Sequence, residues 1–133
     1  MSAYDQHQRL RTKAIRQIKK KAYDEAITTI GDGSVDMLKQ KEQGSGCDLG
    51  VYLIDVYGQA NKPCDEATRS KVVEIISLAQ NDFWRKKVID AAVRWSAQTS
   101  KNPAGDSRLR LEIAEVLAKG EFQSFETAKQ LRY

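Results

Sequence analysis

Histidine occurs once, at His7, in a chain of 133 residues, and cysteine only twice, at Cys47 and Cys64. A single imidazole excludes any metal site that needs two and any acid–base scheme built on paired histidines. Two thiols are too few for a disulfide framework or a four-thiolate zinc site, so a reducing cytosolic setting is expected. Proline is equally scarce, with two residues. No apolar run approaches the about 20 residues that a membrane helix requires. Met1-Ser2-Ala3 leads directly into polar Tyr4-Asp5-Gln6-His7, so no secretory signal is expected. Acid is missing from one stretch: no Asp or Glu stands between Asp5 and Asp24.

What is present points to one folded domain. Hydrophobic residues at 41% against 30% charged suit a globular chain rather than a disordered one. The length matches a single domain, here 1–133. The net charge of +4 is mild; it tolerates an acidic partner without demanding nucleic acid.

Apolar residues recur at three- and four-residue spacing, with no sustained alternation of two, so the class is all-α. The first helix is predicted over Asp5 to Lys20. On a wheel of 100° per residue, Leu10, Ala14, Ile15 and Ile18 share one arc, and Arg9, Lys13, Arg16 and Lys20 lie opposite. His7 and Arg11, one turn apart, project within the apolar arc. A second helix begins near Asp24 and Glu25, whose charges suit a helix N-terminus. Gly31 and Gly33, each costing ~1 kcal/mol relative to Ala in a helix, predict a kink in it. Gln40 to Gly46 reads as a polar linker, with Asp48 as a candidate cap for a third helix through Tyr57. Pro63 ends that helix region, and Asp65 or Thr68 starts a fourth. Asn81-Asp82 caps a fifth, carrying Trp84 and Trp95 as packing residues. Ser100 to Ser107, with Pro103 and Gly105, is the clearest loop. A sixth helix is expected to stop at Gly120, followed by a short seventh through Phe122, Phe125, Ala128 and Leu131.

Helices joined by short turns make antiparallel neighbours. Tyr23 and Phe122 each follow a helix stop and precede small residues, as in the turn of tetratricopeptide-type repeats. The predicted architecture is therefore a tetratricopeptide-like α-solenoid of antiparallel helix pairs. Its ends, at Tyr4 and Tyr133, lie inside helical patterns without good caps, which suggests a piece of a longer array.

Catalytic constellations are lacking. Neither Cys47 nor Cys64 has a spacing that brings it to His7, and both read as packing or surface residues. Gly44-Ser45-Gly46 lacks the following Gly-Lys-Ser/Thr and the preceding strand of a phosphate loop. Asp48 and Asp55, seven residues apart, share a helix face, but an exposed face does not shift a carboxylate toward acid–base work. A non-enzymatic role without cofactor or metal is expected. The cation-rich first helix suits an acidic protein or phosphates. With no aromatic interleaved to stack bases, protein is the better partner than nucleic acid. A buried Arg needs a partner. Arg11 on the apolar arc beside His7 therefore suggests a face left open for another molecule.

Three segments carry a resemblance. Tyr4-Asp5-Gln6-His7-Gln8-Arg9-Leu10-Arg11-Thr12 is similar to a Tyr-Glu-Ala-His-Gln-x-x-Arg-Thr segment. Gly44-Ser45-Gly46-Cys47-Asp48-Leu49 is similar to a Gly-rich linker before an Asp-Leu helix start. Ala92-Val93-Arg94-Trp95-Ser96 with Gly105-Asp106-Ser107-Arg108-Leu109 is similar to a Trp-Ser helix and the helix start after it. In this order they resemble the Golgi-to-ER traffic protein four family, the helical scaffold of the guided entry of tail-anchored proteins (GET) pathway.

The resemblance implies a non-enzymatic scaffold in the cytosol that docks and regulates the targeting ATPase through its N-terminal part. A ubiquitin-like adaptor would bind through a C-terminal half absent here. It places His7, Gln8 and Arg11 on the first ATPase-facing helix, and Asp48 and Asp55 at acidic positions implied in regulating the ATPase. Asp55 stands where some relatives carry Glu. The alternative is a basic helical module led by Arg9, Lys13, Arg16 and Lys20 that binds RNA or an anionic membrane surface, without membrane insertion.

Overall fold

The structure, a computed structural model, describes residues 2–132, with the side chains of residues 2–120. Six helices follow one another: α1 (Ala3–Lys19), α2 (Tyr23–Lys39), α3 (Gln43–Gln59), α4 (Glu66–Leu78), α5 (Asp82–Ser100) and α6 (Ser107–Arg132). No strand occurs among the described residues. Helices α1, α3 and α5 form one layer and α2, α4 and α6 the other, with α2 wedged most closely against α3. This is a helical solenoid, as the periodicity implies. The core runs between the layers through Ile30, Leu49, Leu53, Val56, Val72, Ile76, Val88, Ala92 and Leu109, all fully buried.

Local chemistry sets the helix ends. The Ser2 hydroxyl accepts the Asp5 amide at 3.1 Å and starts α1. Asp65 and Thr68 form a reciprocal capping box on α4, and Asn81 caps α5 through the Trp84 amide. The first three helices are each 17 residues long and start 20 residues apart. Their closing turns share one geometry, with Lys21, Lys41 and Asn61 in the left-handed conformation at φ 59°, 65° and 53°. In each turn the next amide (Ala22, Glu42, Lys62) reaches back to the carbonyl of Gln17, Met37 or Tyr57 at 2.8–2.9 Å. The left-handed residue itself bonds the carbonyl after that one. Two orphan carbonyls are thereby satisfied at each helix end.

Several expected boundaries shift. Gly44, Ser45 and Gly46 belong to the first turn of α3, so the linker contracts to Gln40–Glu42, and Asp48 lies inside the helix rather than capping it. The glycines serve packing. A Cβ on Gly46 would lie 2.5 Å from Leu38 Cγ, and the Ser34 hydroxyl donates to the Gly46 carbonyl at 2.6 Å. Helices α2 and α3 approach too closely there for any side chain. Likewise α2 is continuous through Gly31 and Gly33, because Leu10 of α1 fills the space over Gly33. The propensity cost is offset by this contact. Helix α6 continues through Gly120 to Arg132, so the expected stop and separate seventh helix are replaced by one long helix. The side chains of Phe122, Phe125, Ala128 and Leu131 lie outside the described residues.

The Trp-Ser and Gly-Asp segments meet. Trp95 packs against Tyr57 with ring centres 5.1 Å apart and planes tilted by 37°, and donates its indole N–H to the Lys62 carbonyl at 3.2 Å. Buried Ser96 accepts the Asp106 amide at 2.9 Å, and Asp106 in turn accepts the Leu109 amide at 2.9 Å, starting α6. Gly105 has φ +93°, and a Cβ there would sit 3.0 Å from Val93 Cγ1. These motifs hold α6 onto α5. Trp84 is half-buried and packs at 3.6 Å from the Cβ position of Gly44.

Candidate docking face

His7 and Arg11 stand one turn apart on α1; Asp48 and Tyr52 stand one turn apart on α3. Layering α1 against α3 brings the two pairs together. His7 Nε2 lies 2.7 Å from Asp48 Oδ2, and Arg11 Nη1 donates to the same oxygen at 3.0 Å. The Arg11 guanidinium carbon sits 4.4 Å above the centre of the Tyr52 ring. Among the described residues no donor is bonded to Asp48 Oδ1. An exposed ion pair contributes about 0.2–1 kcal/mol, and a cation over an aromatic ring about 0.5–1 kcal/mol at an exposed site. Such terms fix side-chain positions more than they stabilise the fold.

The sequence reading of this face is corrected in two respects. His7 is buried and paired, so it is not open to another molecule. Arg11 is not an unpartnered guanidinium: its own Asp48 holds it, although a third of the side chain remains exposed, as does almost half of Asp48. The physical reason is a helix register 37 residues apart in sequence that sets the carboxylate directly opposite the cation. Ile15, expected in the core, is 42% exposed, and Tyr4 is 67% exposed. At positions 4, 11 and 15, these two side chains share a helical stripe with Arg11. The exposed face therefore consists of a paired arginine flanked by two apolar side chains, with exposed Gln8 beside them.

Asp55 is exposed two turns beyond Asp48 on the same side of α3 and accepts from Gln59 Nε2 at 2.9 Å. The two carboxylates thus share a face, and the structure brings only Asp48 into the α1 cluster. Tyr52 was not among the sequence-derived candidates. Its position four residues after Asp48 was the available signal.

Arg9, Lys13, Arg16 and Lys20 are all exposed on the other flank of α1. Arg9 and Lys13 line a groove of about 590 Å³ between α1 and α2, with Asp32 and Asp36 among its α2 residues. Acid across the groove tempers this basic stripe. Burial pushes the Cys47 thiol up to about 11, with Arg85 opposing. Cys64 is also pushed up to about 11, by burial first and Asp106 second. Both are thiols at neutral pH, poor nucleophiles by that measure. No described helix is long and apolar enough to cross a membrane.

Comparison with known proteins bears on the assignment. The family model described as Golgi to ER traffic protein 4 matches residues 20–131. Golgi to ER traffic protein 4 of Schizosaccharomyces pombe is 28% identical over 117 residues, covering 87% of this chain and 38% of that protein. The Aspergillus fumigatus protein of the same name is 26% identical, covering 98% of this chain and 45% of its own length. The crystal structure of C. therm. Get4 superposes with a TM-score of 0.82 at 30% identity, over 93% of this chain and 40% of that one. The chain therefore spans less than half the length of these relatives. The family-model match from residue 20 to 131 takes in the Trp-Ser clasp and the α3 side of the α1–α3 cluster, and the chain belongs to the Golgi to ER traffic protein 4 family.

Proposed function

We propose that this chain is a non-enzymatic docking domain for the targeting ATPase that delivers tail-anchored membrane proteins to the ER, working in the cytosol. The observation that carries this reading is the one-third-exposed Arg11, fixed over Tyr52 and against Asp48, with exposed Tyr4 and Ile15 on its stripe. An arginine already held in one conformation loses little further entropy when a partner covers it. Arginine and tyrosine are also the side chains most often found at the energetic centre of interfaces. His7 supports the site from beneath by fixing Asp48, while Gln8 is free to add a polar contact.

Asp48 and Asp55 supply the regulatory half. Lysines of the ATPase can meet Asp55 and the free oxygen of Asp48, setting register and encounter rate more than affinity. A scaffold favours the nucleotide-loaded, closed ATPase only by binding it more tightly than the open one. The docking face should therefore straddle elements of the ATPase that move between the two states. The ubiquitin-like adaptor would be held outside this chain, which takes neither cofactor nor metal. The rival reading places RNA or an anionic membrane on Arg9, Lys13, Arg16 and Lys20; Asp32 and Asp36 across the groove weigh against it. A pull-down of the ATPase with and without ATP tests the docking reading. Stronger retention with ATP supports it. Equal failure in both conditions removes it.

A further inference from the structure

A second concavity, of about 390 Å³, opens on the same layer between α3 and α5, and Asp48 forms part of both sites. Its lining combines Val51 and Trp84 with the charged Lys87, Asp90 and Arg94. Phe83, 64% exposed, precedes Trp84 at the start of α5 and packs against it edge to face at 5.1 Å. The Lys87 ammonium rests 4.9 Å from the Phe83 ring centre and 6.0 Å from that of Trp84. It is thus positioned by aromatic faces. Neither Lys87 nor Arg94 is in an ion pair among the described residues, whereas Arg11, Lys62, Arg69 and Lys71 are each bonded to a carboxylate distant in sequence. Asp90 lies between them in sequence without pairing to either. Asp48 is already engaged by His7 and Arg11. The groove thus sets two cations free of ion pairs among the described residues beside Asp90 and the shared Asp48, with the Trp84 ring in its lining.

Seven residues separate Lys87 from Arg94, a rise of ~10 Å along the helix. We infer that the α3–α5 groove is a second foothold of the docking face, accepting an acidic segment of the same ATPase with carboxylates about two helical turns apart and an apolar side chain against Trp84. This rests on the docking reading above and extends it to α5. Unpaired cations at the edge of a contact act mainly on encounter, and so on the salt dependence of association. Because Asp48 borders both footholds, an acidic segment seated beside it also pushes on the Arg11–Asp48 pair, which links the groove to the regulatory carboxylate.

The test is a titration of the ATPase, loaded with ATP, against four forms of the chain at two salt concentrations. These are wild type, Arg11→Ala, the double reversal Lys87→Glu/Arg94→Glu, and the control reversal Lys13→Glu/Arg16→Glu on the far flank. All four substituted cationic positions of the reversals are exposed, and circular dichroism checks the helix content of each. The neutral pair Lys87→Gln/Arg94→Gln serves if the reversal disturbs folding. The expected result is a tenfold or greater loss of affinity for the α5 reversal, with a shallower salt dependence, and less than a twofold change for the control. Three outcomes overturn the inference. If Arg11→Ala weakens binding and the α5 reversal does not, docking stands and the groove is no part of it. If both reversals weaken binding equally, net charge alone is responsible. If wild type does not bind, the docking reading and the second foothold fall together.

Discussion

Arg11 and Tyr52 are stacked across the α1–α3 seam, the guanidinium carbon 4.4 Å from the ring centre, while Asp48 anchors the same guanidinium at 3.0 Å. A planar cation suits this arrangement and a lysine does not, because only the guanidinium lies flat on a ring while forking toward a carboxylate. Arg11→Lys is expected to lower stability by about 0.5–1 kcal/mol. Tyr52→Leu should cost a similar amount, and the double variant less than the sum, because both remove one contact. Thermal or urea unfolding of the four proteins reads this directly; strictly additive losses would show that the stack contributes nothing.

Charge reversal at Asp48 sets a lysine beside Arg11 and His7. Asp48→Lys is therefore expected to destabilise the chain more than Asp48→Asn, and to alter ATPase turnover more than ATPase affinity. Comparing both variants separates the local repulsion from the regulatory contact. If Asp48→Asn and Asp48→Lys leave turnover at the wild-type value, Asp48 has no part in regulation.

Two glycines of α3 should respond in opposite directions. Gly46→Ala forces a methyl to within 2.5 Å of Leu38 Cγ and 3.1 Å of the Leu38 backbone nitrogen. A loss of about 1–3 kcal/mol is expected, as for other overpacked helix contacts. Nothing lies within 4 Å of a Cβ on Gly58, so Gly58→Ala should gain about 0.5–1 kcal/mol from helix propensity and a less flexible unfolded chain. Denaturant titration of the pair checks the sign of each.

Asp65 gives the α4 cap a pH dependence. The Thr68 backbone amide bonded to its carboxylate holds the Asp65 pKa below the usual carboxylate range. A pKa lower in the folded than in the unfolded chain means that the cap stabilises fully above the unfolded value, about 3.9. That contribution fades as pH falls through the lower folded value. Asp65→Ala should thus be less stable than wild type at neutral pH, with the difference shrinking below pH ~4. A gap that persists unchanged into stronger acid would assign the cap to something other than its charge.

Helix number through α5, the caps at Asp65 and Asn81 and the placement of His7 and Arg11 on an apolar arc were legible in the sequence, because each depends on neighbours within a turn or two. The start of α3 was not. The turn before it rests on Lys41 in a conformation where glycine is the usual signal, at a cost on the order of 1–2 kcal/mol. Glu42 offers no side-chain cap. Gly44 to Gly46 reads as a linker by propensity, and only the approach of Leu38 and Ser34 explains glycine inside a helix. At the candidate site, both halves were visible but not their union: no local rule places Asp48 opposite residues some forty positions earlier. That register belongs to the packing of α1 on α3.

A calorimetric titration of the ATP-loaded targeting ATPase with wild type and Arg11→Ala tests the docking role most directly. The expected result is a loss of ~1–3 kcal/mol in binding free energy for the variant, typical of a central interface arginine, with helix content unchanged. Equal affinity for the two folded proteins would contradict it, leaving Arg11 as a clamp between α1 and α3 and nothing more.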